Sequence, residues 1–117
     1  GLLAWLLRQK GPTVPGYSRA VFSGVTTLTL ADLMANIILN QPDMTGLFHV
    51  ASKPIDKFTL LSKINRIFGL GLKVVGDSAL RIDRSLDASK IKGYMGYTPP
   101  DWADQLTALA RLMHDQA

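Results

Sequence analysis

The 117-residue sequence contains no cysteine, so within it disulfides and thiolate chemistry are excluded. The lack fits a reducing cytoplasm, and a cytoplasmic protein is expected. Histidine is nearly absent too. His49 and His114 have no carboxylate or cysteine at metal-ligand spacing. His49 lies among apolar neighbours and reads as a hydrogen-bonded structural residue. His114 suits the negative end of a final helix. No Gly-x-Ser-x-Gly elbow and no phosphate-cradling P-loop occurs. Gly69-Leu70-Gly71 lacks a third glycine and follows a helical pattern, so it reads as a helix stop rather than a dinucleotide fingerprint. No run is long and apolar enough to cross a bilayer, and no membrane partner is expected.

What the chain does have is a core. Apolar residues make up 47% and charged residues 19%, which argues for a folded domain and against disorder. The formal net charge is +4, but Lys and Arg are scattered, so a nucleic-acid partner is not expected. The nearest approach to a cluster is Arg81, Arg84, Lys90 and Lys92, for most of which a solvated face is the simpler reading.

The chain opens on Gly1-Leu2-Leu3-Ala4-Trp5-Leu6-Leu7 without an initiator Met. No basic stretch precedes this run and no small-residue cleavage site follows, so it reads as a helix belonging to a longer polypeptide rather than as a signal peptide. Leu2, Leu3, Trp5 and Leu6 are expected to be exposed, which predicts self-association through residues 1–10.

Periodicity predicts a helix over 2–9, stopped at Gly11-Pro12. A turn at Pro15-Gly16 and a short extended run follow. Thr29-Leu30-Ala31-Asp32 has capping-box form, and the apolar helix behind it (Leu30, Leu33, Met34, Ile37, Ile38, Leu39) is expected to be deeply buried. Residues 46–51 read as a strand. Asp56 is placed as the N-cap of a helix carrying Phe58, Leu61, Ile64, Ile67 and Phe68, closed by Gly69 and Gly71. A short strand over 72–75 follows. A helix start is placed at Ser85-Leu86-Asp87, with its end at Gly93 or Gly96. Asp101 leads a last helix with a stripe of Trp102, Leu106, Leu109, Ala110 and Met113. The fold class is α/β: a small mixed domain with short strands.

Arg81-Ile82-Asp83-Arg84-Ser85-Leu86-Asp87 is the stretch richest in binding chemistry. Two arginines stand three apart, ahead of an expected helix N-terminus. Guanidinium forks and helix N–H groups together can hold a pyrophosphate. The alternative is that Arg84 pairs with Asp83, Asp87 or another surface carboxylate. Tyr94 and Tyr97 can stack on a sugar or base, although packing beneath the last helix is the simpler reading.

Several pieces resemble one family. Gly24-Val25-Thr26-Thr27 resembles the Gly-x-Pro-Thr segment of dTDP-4-dehydrorhamnose reductases, with Thr26 where proline is common. Thr45-Gly46-Leu47-Phe48-His49-Val50-Ala51 resembles the Gly-x-Tyr/Phe-His/Asn-Val-Ala strand of extended short-chain dehydrogenases. Arg84-Ser85-Leu86-Asp87-Ala88-Ser89-Lys90 resembles their Leu-Asp-x-x-Lys helix start. Gly96-Tyr97-Thr98-Pro99-Pro100-Asp101-Trp102 resembles the Gly-x-x-Pro-x-Trp lead-in to the last helix. The order and spacing of the pieces cover nearly the whole chain.

The resemblance implies that residues 1–117 form the C-terminal, nucleotide-sugar-binding portion of such an enzyme. The Rossmann half would lie outside this sequence and would supply NAD(P)H binding and the Tyr-x-x-x-Lys proton-transfer pair. None of Tyr17, Tyr94 and Tyr97 has a lysine four residues on. The resemblance implies that Arg84 or Arg81 contacts the nucleotide diphosphate and that Ser23 and Thr27 lie near the substrate. No cofactor is expected on this portion alone, and none of its residues is expected to be catalytic. Sugar 4-epimerases and 4,6-dehydratases share the same strand and helix starts, so they stand as alternatives to reduction of a 4-keto sugar. A stand-alone phosphate- or protein-binding module is a third reading.

Overall fold

A computed structural model describes residues 2–9 and 11–115 of the chain. The elements run α1 (Leu2–Leu7), β1 (Thr13–Phe22), α2 (Thr27–Asn40), β2 (Ile55–Asp56), α3 (Lys57–Phe68), β3 (Lys73–Arg84), α4 (Ser89–Met95) and α5 (Trp102–Asp115). This is the mixed α/β class expected, ending in two helices, but its second strand is Ile55–Asp56 and not residues 46–51. The chain divides into two compact units, each assembled from two stretches: Gly1–Phe22 with Pro54–Arg84, and Ser23–Lys53 with Ser85–Ala117.

The first unit is a three-stranded sheet of order β2-β1-β3 with α3 packed on it. β1 runs antiparallel to β2 and parallel to β3. Leu60, Leu61 and Ile64 share one face of α3 and are buried with Val14, Ala20 and Ile55. The helix is delimited as expected. Asp56 Oδ1 accepts from Thr59 N–H at 2.8 Å, and Gly69 ends the helix at φ 64°, a left-handed position where a Cβ is penalised. Asn65 then mimics a backbone ladder. Its Nδ2 donates to Leu72 O at 2.6 Å and its Oδ1 accepts from Leu72 N–H at 2.9 Å, which aims the chain into β3.

Two expectations fail in this unit. Pro15-Gly16 is not a turn but lies within β1, opposite Val75 and Gly76. β2 covers only Val21 and Phe22, so β1 is an edge strand at Pro15, where a missing N–H is tolerated. Gly16 is required by packing: a Cβ there would stand 2.8 Å from Phe58 Cα. The strand expected at 72–75 instead runs twelve residues, because β1 offers it a parallel partner along its length. In α1, Leu6 is 1% exposed, so it is a core residue and not part of an exposed patch. Trp5 and Leu7 are exposed. Gly1 and Lys10, the ends of the expected self-association segment, lie outside the described residues.

The second unit is helical, with α2 packed against α5. The cap of α2 is Thr26, whose hydroxyl accepts from Thr29 N–H at 3.2 Å. The box expected at Thr29 is thus displaced by three residues, and Thr29 is a buried member of the first turn. Only Thr29 and Leu33 of α2 are buried, contrary to the deep burial expected. Leu30 and Met34 are exposed, and Ile38 and Leu39 are 73% and 77% exposed. Apolar composition does not bury a helix face that the unit leaves uncovered. Residues 46–51 form no strand, since no partner strand pairs with them, and His49 is exposed. α4 starts at Ser89, later than expected, and ends at Gly96 with φ 70°. On α5, Leu106 is buried but Met113 is exposed.

Among the described residues no helix is long and apolar enough to cross a membrane, and no group of His, Asp or Glu could hold a metal ion.

Candidate functional site

Arg81 and Arg84 both lie in β3, not ahead of a helix. Arg81 pairs with Arg19 and Arg84 with Phe22, in the regular stretch beyond an irregularity between Tyr17 and Arg19. Side chains alternate along a strand. Arg81 therefore shares a face with Asp83, Arg19 and Val21, while Arg84 shares the opposite face with Ile82 and Ala20. The two expected diphosphate ligands do not form a pair on one surface. What stands beside Arg81 is Arg19. Both are exposed, and together with Val21, Ile82 and Asp83 they line an open hollow of about 500 Å³ on the first unit. Arg19 carries no motif of its own. The signal that could have found it is register, which appears only once β3 is seen to run parallel to β1.

Ser23 and Thr27 belong to the second unit. Thr27 is exposed and opens α2. Ser23 is 2% exposed, and its hydroxyl accepts from Leu86 N–H at 2.7 Å. Its carbonyl accepts from Ser52 N–H at 2.8 Å. The Ser23 side chain is thus bound to the backbone that follows Arg84-Ser85.

Gln105, which the sequence reading passed over, completes this network. The residue is 1% exposed. Its Nε2 donates to Ser52 Oγ at 2.6 Å and to Pro100 O at 2.9 Å, and its Oε1 accepts from Thr26 N–H at 3.0 Å. Both donors and the acceptor are used, as a buried amide requires. A signal existed in the sequence: position 105 lies on the same helical stripe as Trp102, Leu106 and Leu109, where a polar residue needs a reason.

A third cluster involves Lys90. Its Nζ donates to the Leu47 carbonyl at 2.6 Å and lies 4.5 Å from the Phe48 ring centroid, and Phe48 meets Tyr94 edge-on at 5.4 Å. Asp87 accepts from Ser89 N–H at 2.9 Å, one residue before the assigned cap of α4. That backbone hydrogen bond, followed by one from the Ser89 side chain, holds the Asp87 carboxyl below its ordinary value. Burial pushes the Tyr97 hydroxyl up, and the charge of Asp32 adds to the shift. Gly69 and Gly71 terminate α3 and do not form a phosphate-binding turn between strand and helix, so they do not fit a dinucleotide.

No protein-family model matches this chain, and no curated protein matches it in sequence. Solved structures share its fold. The dTDP-4-dehydrorhamnose reductase of Bacillus anthracis, solved in complex with NADP, superposes with a TM-score of 0.78 at 14% identity, covering 92% of this chain and 41% of that one. A dTDP-4-dehydrorhamnose reductase of Clostridium acetobutylicum gives 0.76 at 17% identity, covering 97% and 42%. A dTDP-glucose 4,6-dehydratase of Bacillus anthracis, solved with NAD, gives 0.66 at 13% identity, covering 98% and 39%. The chain spans about two fifths of the length of the enzymes it matches.

Proposed function

We propose that this chain is the substrate-binding portion of an NAD(P)-dependent nucleotide-sugar oxidoreductase of the dTDP-4-dehydrorhamnose reductase type, acting in reduction of a 4-keto nucleotide sugar. The observation that carries the reading is the fold shared with two such reductases over more than nine tenths of this chain. The ordered motifs from Gly24 to Trp102 support it independently. NAD(P)H would supply the hydride. Among the described residues, Gly69-Leu70-Gly71 does not fit the dinucleotide.

What the chain's own residues would contribute is charge and position. Arg81, exposed on the hollow of the first unit, is the preferred diphosphate ligand, since its planar fork can pair two phosphate oxygens at once. Arg84, exposed on the other face of β3, is the alternative. On the second unit Thr27, exposed at the start of α2, is proposed as a substrate-side residue on the motif it belongs to. Ser23 would act as a positioning residue, holding Leu86 and through it the segment that continues from Arg84.

Calorimetric titration with dTDP and UDP tests the reading. Saturable binding that weakens about tenfold or more in Arg81→Ala supports it. Loss in Arg84→Ala alone would move the ligand to the other face. The absence of any nucleotide binding, or turnover of a 4-keto sugar with NAD(P)H by this chain on its own, would overturn it. The dehydratase match makes 4,6-dehydration a second reading. Net consumption of NAD(P)H by the complete enzyme separates reduction from dehydration, which returns its hydride.

A further inference from the structure

We propose that Gln105 is a positioning residue that fixes the entry to α2 and so sets Thr27 for the substrate. The inference rests on the nucleotide-sugar reading for what Thr27 meets, but the brace itself is independent of any motif.

Among the described residues, Ser23, Thr29, Ser52 and Gln105 are the buried polar ones, and all of them join one network inside the second unit. Ser52 N–H donates to the Ser23 carbonyl, and Gln105 Nε2 donates to Ser52 Oγ and to the Pro100 carbonyl. Gln105 Oε1 accepts from Thr26 N–H at 3.0 Å. The Thr26 hydroxyl in turn accepts from Thr29 N–H and donates to Thr29 Oγ1. A residue of α5 thereby holds the residue immediately before Thr27, across 79 positions of sequence.

The Gln105 amide has one workable orientation. Turned over, it would face its NH2 toward Thr26 N–H and its oxygen toward the Pro100 carbonyl. An apolar residue of the same volume would fill this place on α5 without any hydrogen-bond requirement, but it could not hold Thr26 N–H. Thr26 sits at φ −67° and ψ 155°, in the range to which a proline ring confines its own residue. Threonine has no such ring, so an unheld Thr26 samples other extended angles and carries Thr27 with it. The Gln105 carbonyl supplies the restraint from outside. Thr27 is exposed at the first position of α2, and a backbone fixed before the ligand arrives has less ordering to lose on binding.

The test uses the whole chain, with dTDP-glucose titrated by calorimetry into the parent, Gln105→Leu, Gln105→Glu and the double variant Gln105→Leu with Thr26→Pro, and with urea midpoints measured in parallel. Both single substitutions remove the amide donors, but Glu keeps an oxygen for Thr26 N–H. Gln105→Leu is expected to weaken binding about fivefold or more, while Gln105→Glu stays within about twofold of the parent even though its stability falls. Adding Thr26→Pro to Gln105→Leu removes the orphaned N–H and restores the backbone angle, so affinity should return toward the parent. In the parent, where no variant need fold, the Thr26 amide should exchange slowly with solvent. Losses in Gln105→Leu and Gln105→Glu that simply follow their stabilities, or parent-like affinity in Gln105→Leu, overturn the role of Gln105 while the nucleotide-sugar reading stands. Rapid exchange of the parent's Thr26 amide overturns the brace whatever binds. Slow exchange without any binding of dTDP-glucose keeps the brace and sinks that reading.

Discussion

The hydroxyl of Ser23 accepts the backbone N–H of Leu86 at 2.7 Å, across 63 positions of sequence. The Ser23 carbonyl also accepts from Ser52 N–H. One residue thereby fastens two distant stretches of the second unit, one of them immediately following Arg84-Ser85. Ser23→Ala is expected to lower stability by about 1–2 kcal/mol in urea unfolding, the cost of leaving a part-buried N–H without its acceptor. Nucleotide affinity measured on the same variant should fall less than in Arg81→Ala. A larger loss of affinity with parent-like stability would mean that the hydroxyl meets the ligand directly.

Gln105→Leu is expected to cost more, about 2–4 kcal/mol. The substitution keeps the volume but leaves Thr26 N–H without its acceptor and Ser52 Oγ and the Pro100 carbonyl without their donor. A urea midpoint unchanged from the parent would show that these groups find other partners.

Gly16→Ala should destabilise the first unit by about 1–3 kcal/mol, because the added methyl would stand 2.8 Å from Phe58 Cα and 3.1 Å from Val74 Cγ1, and the backbone must move to admit it. Gly76→Ala is the matched control. Its added Cβ meets only the Phe58 ring at 3.7 Å, an ordinary contact, and its midpoint should lie much nearer the parent. Equal midpoints for the two variants would contradict the close approach of α3 to β1.

Acidification should reveal Asp87. Its carboxyl is held below the ordinary value of 3.8, chiefly by the Ser89 backbone N–H, so its contribution to stability is present above that pH and fades as the pH falls through the lowered value. The parent is expected to be more stable than Asp87→Asn at pH 7, with the gap narrowing near pH 3 in urea titrations. A gap that widens on acidification would reverse the assigned direction.

Some local chemistry was legible in the sequence, although the cap of α2 lies at Thr26 and not at Thr29. Asp56 as cap and Gly69 and Gly96 as stops follow from propensity and spacing. What could not be read depends on partners remote in sequence. The extent of β3, the strand character of Pro15-Gly16 and the absence of a ladder over 46–51 are set by which strands meet. The exposure of Ile38 and Leu39 is decided by whether anything covers them, which their own hydropathy does not specify. For the candidate site, Arg81 and Arg84 were expected ahead of a helix N-terminus, but both lie in β3. Their spacing suits a helix start, whereas a strand sends them to opposite faces. Gln105 was hidden because a stripe of apolar residues draws attention away from its one polar member.

The chain passes from one compact unit to the other after Phe22, Lys53 and Arg84, so each unit is interleaved with the other in sequence. No single deletion from either end can isolate one of them intact. Removing the residues after Arg84 leaves α2 without α5, and removing those before Ser23 takes away β1, the strand that joins β2 to β3. Dissecting the protein therefore calls for circular permutation or for splicing the two stretches of a unit through a new linker, and nascent chains emerging from the ribosome cannot complete the first sheet until β3 has been synthesised.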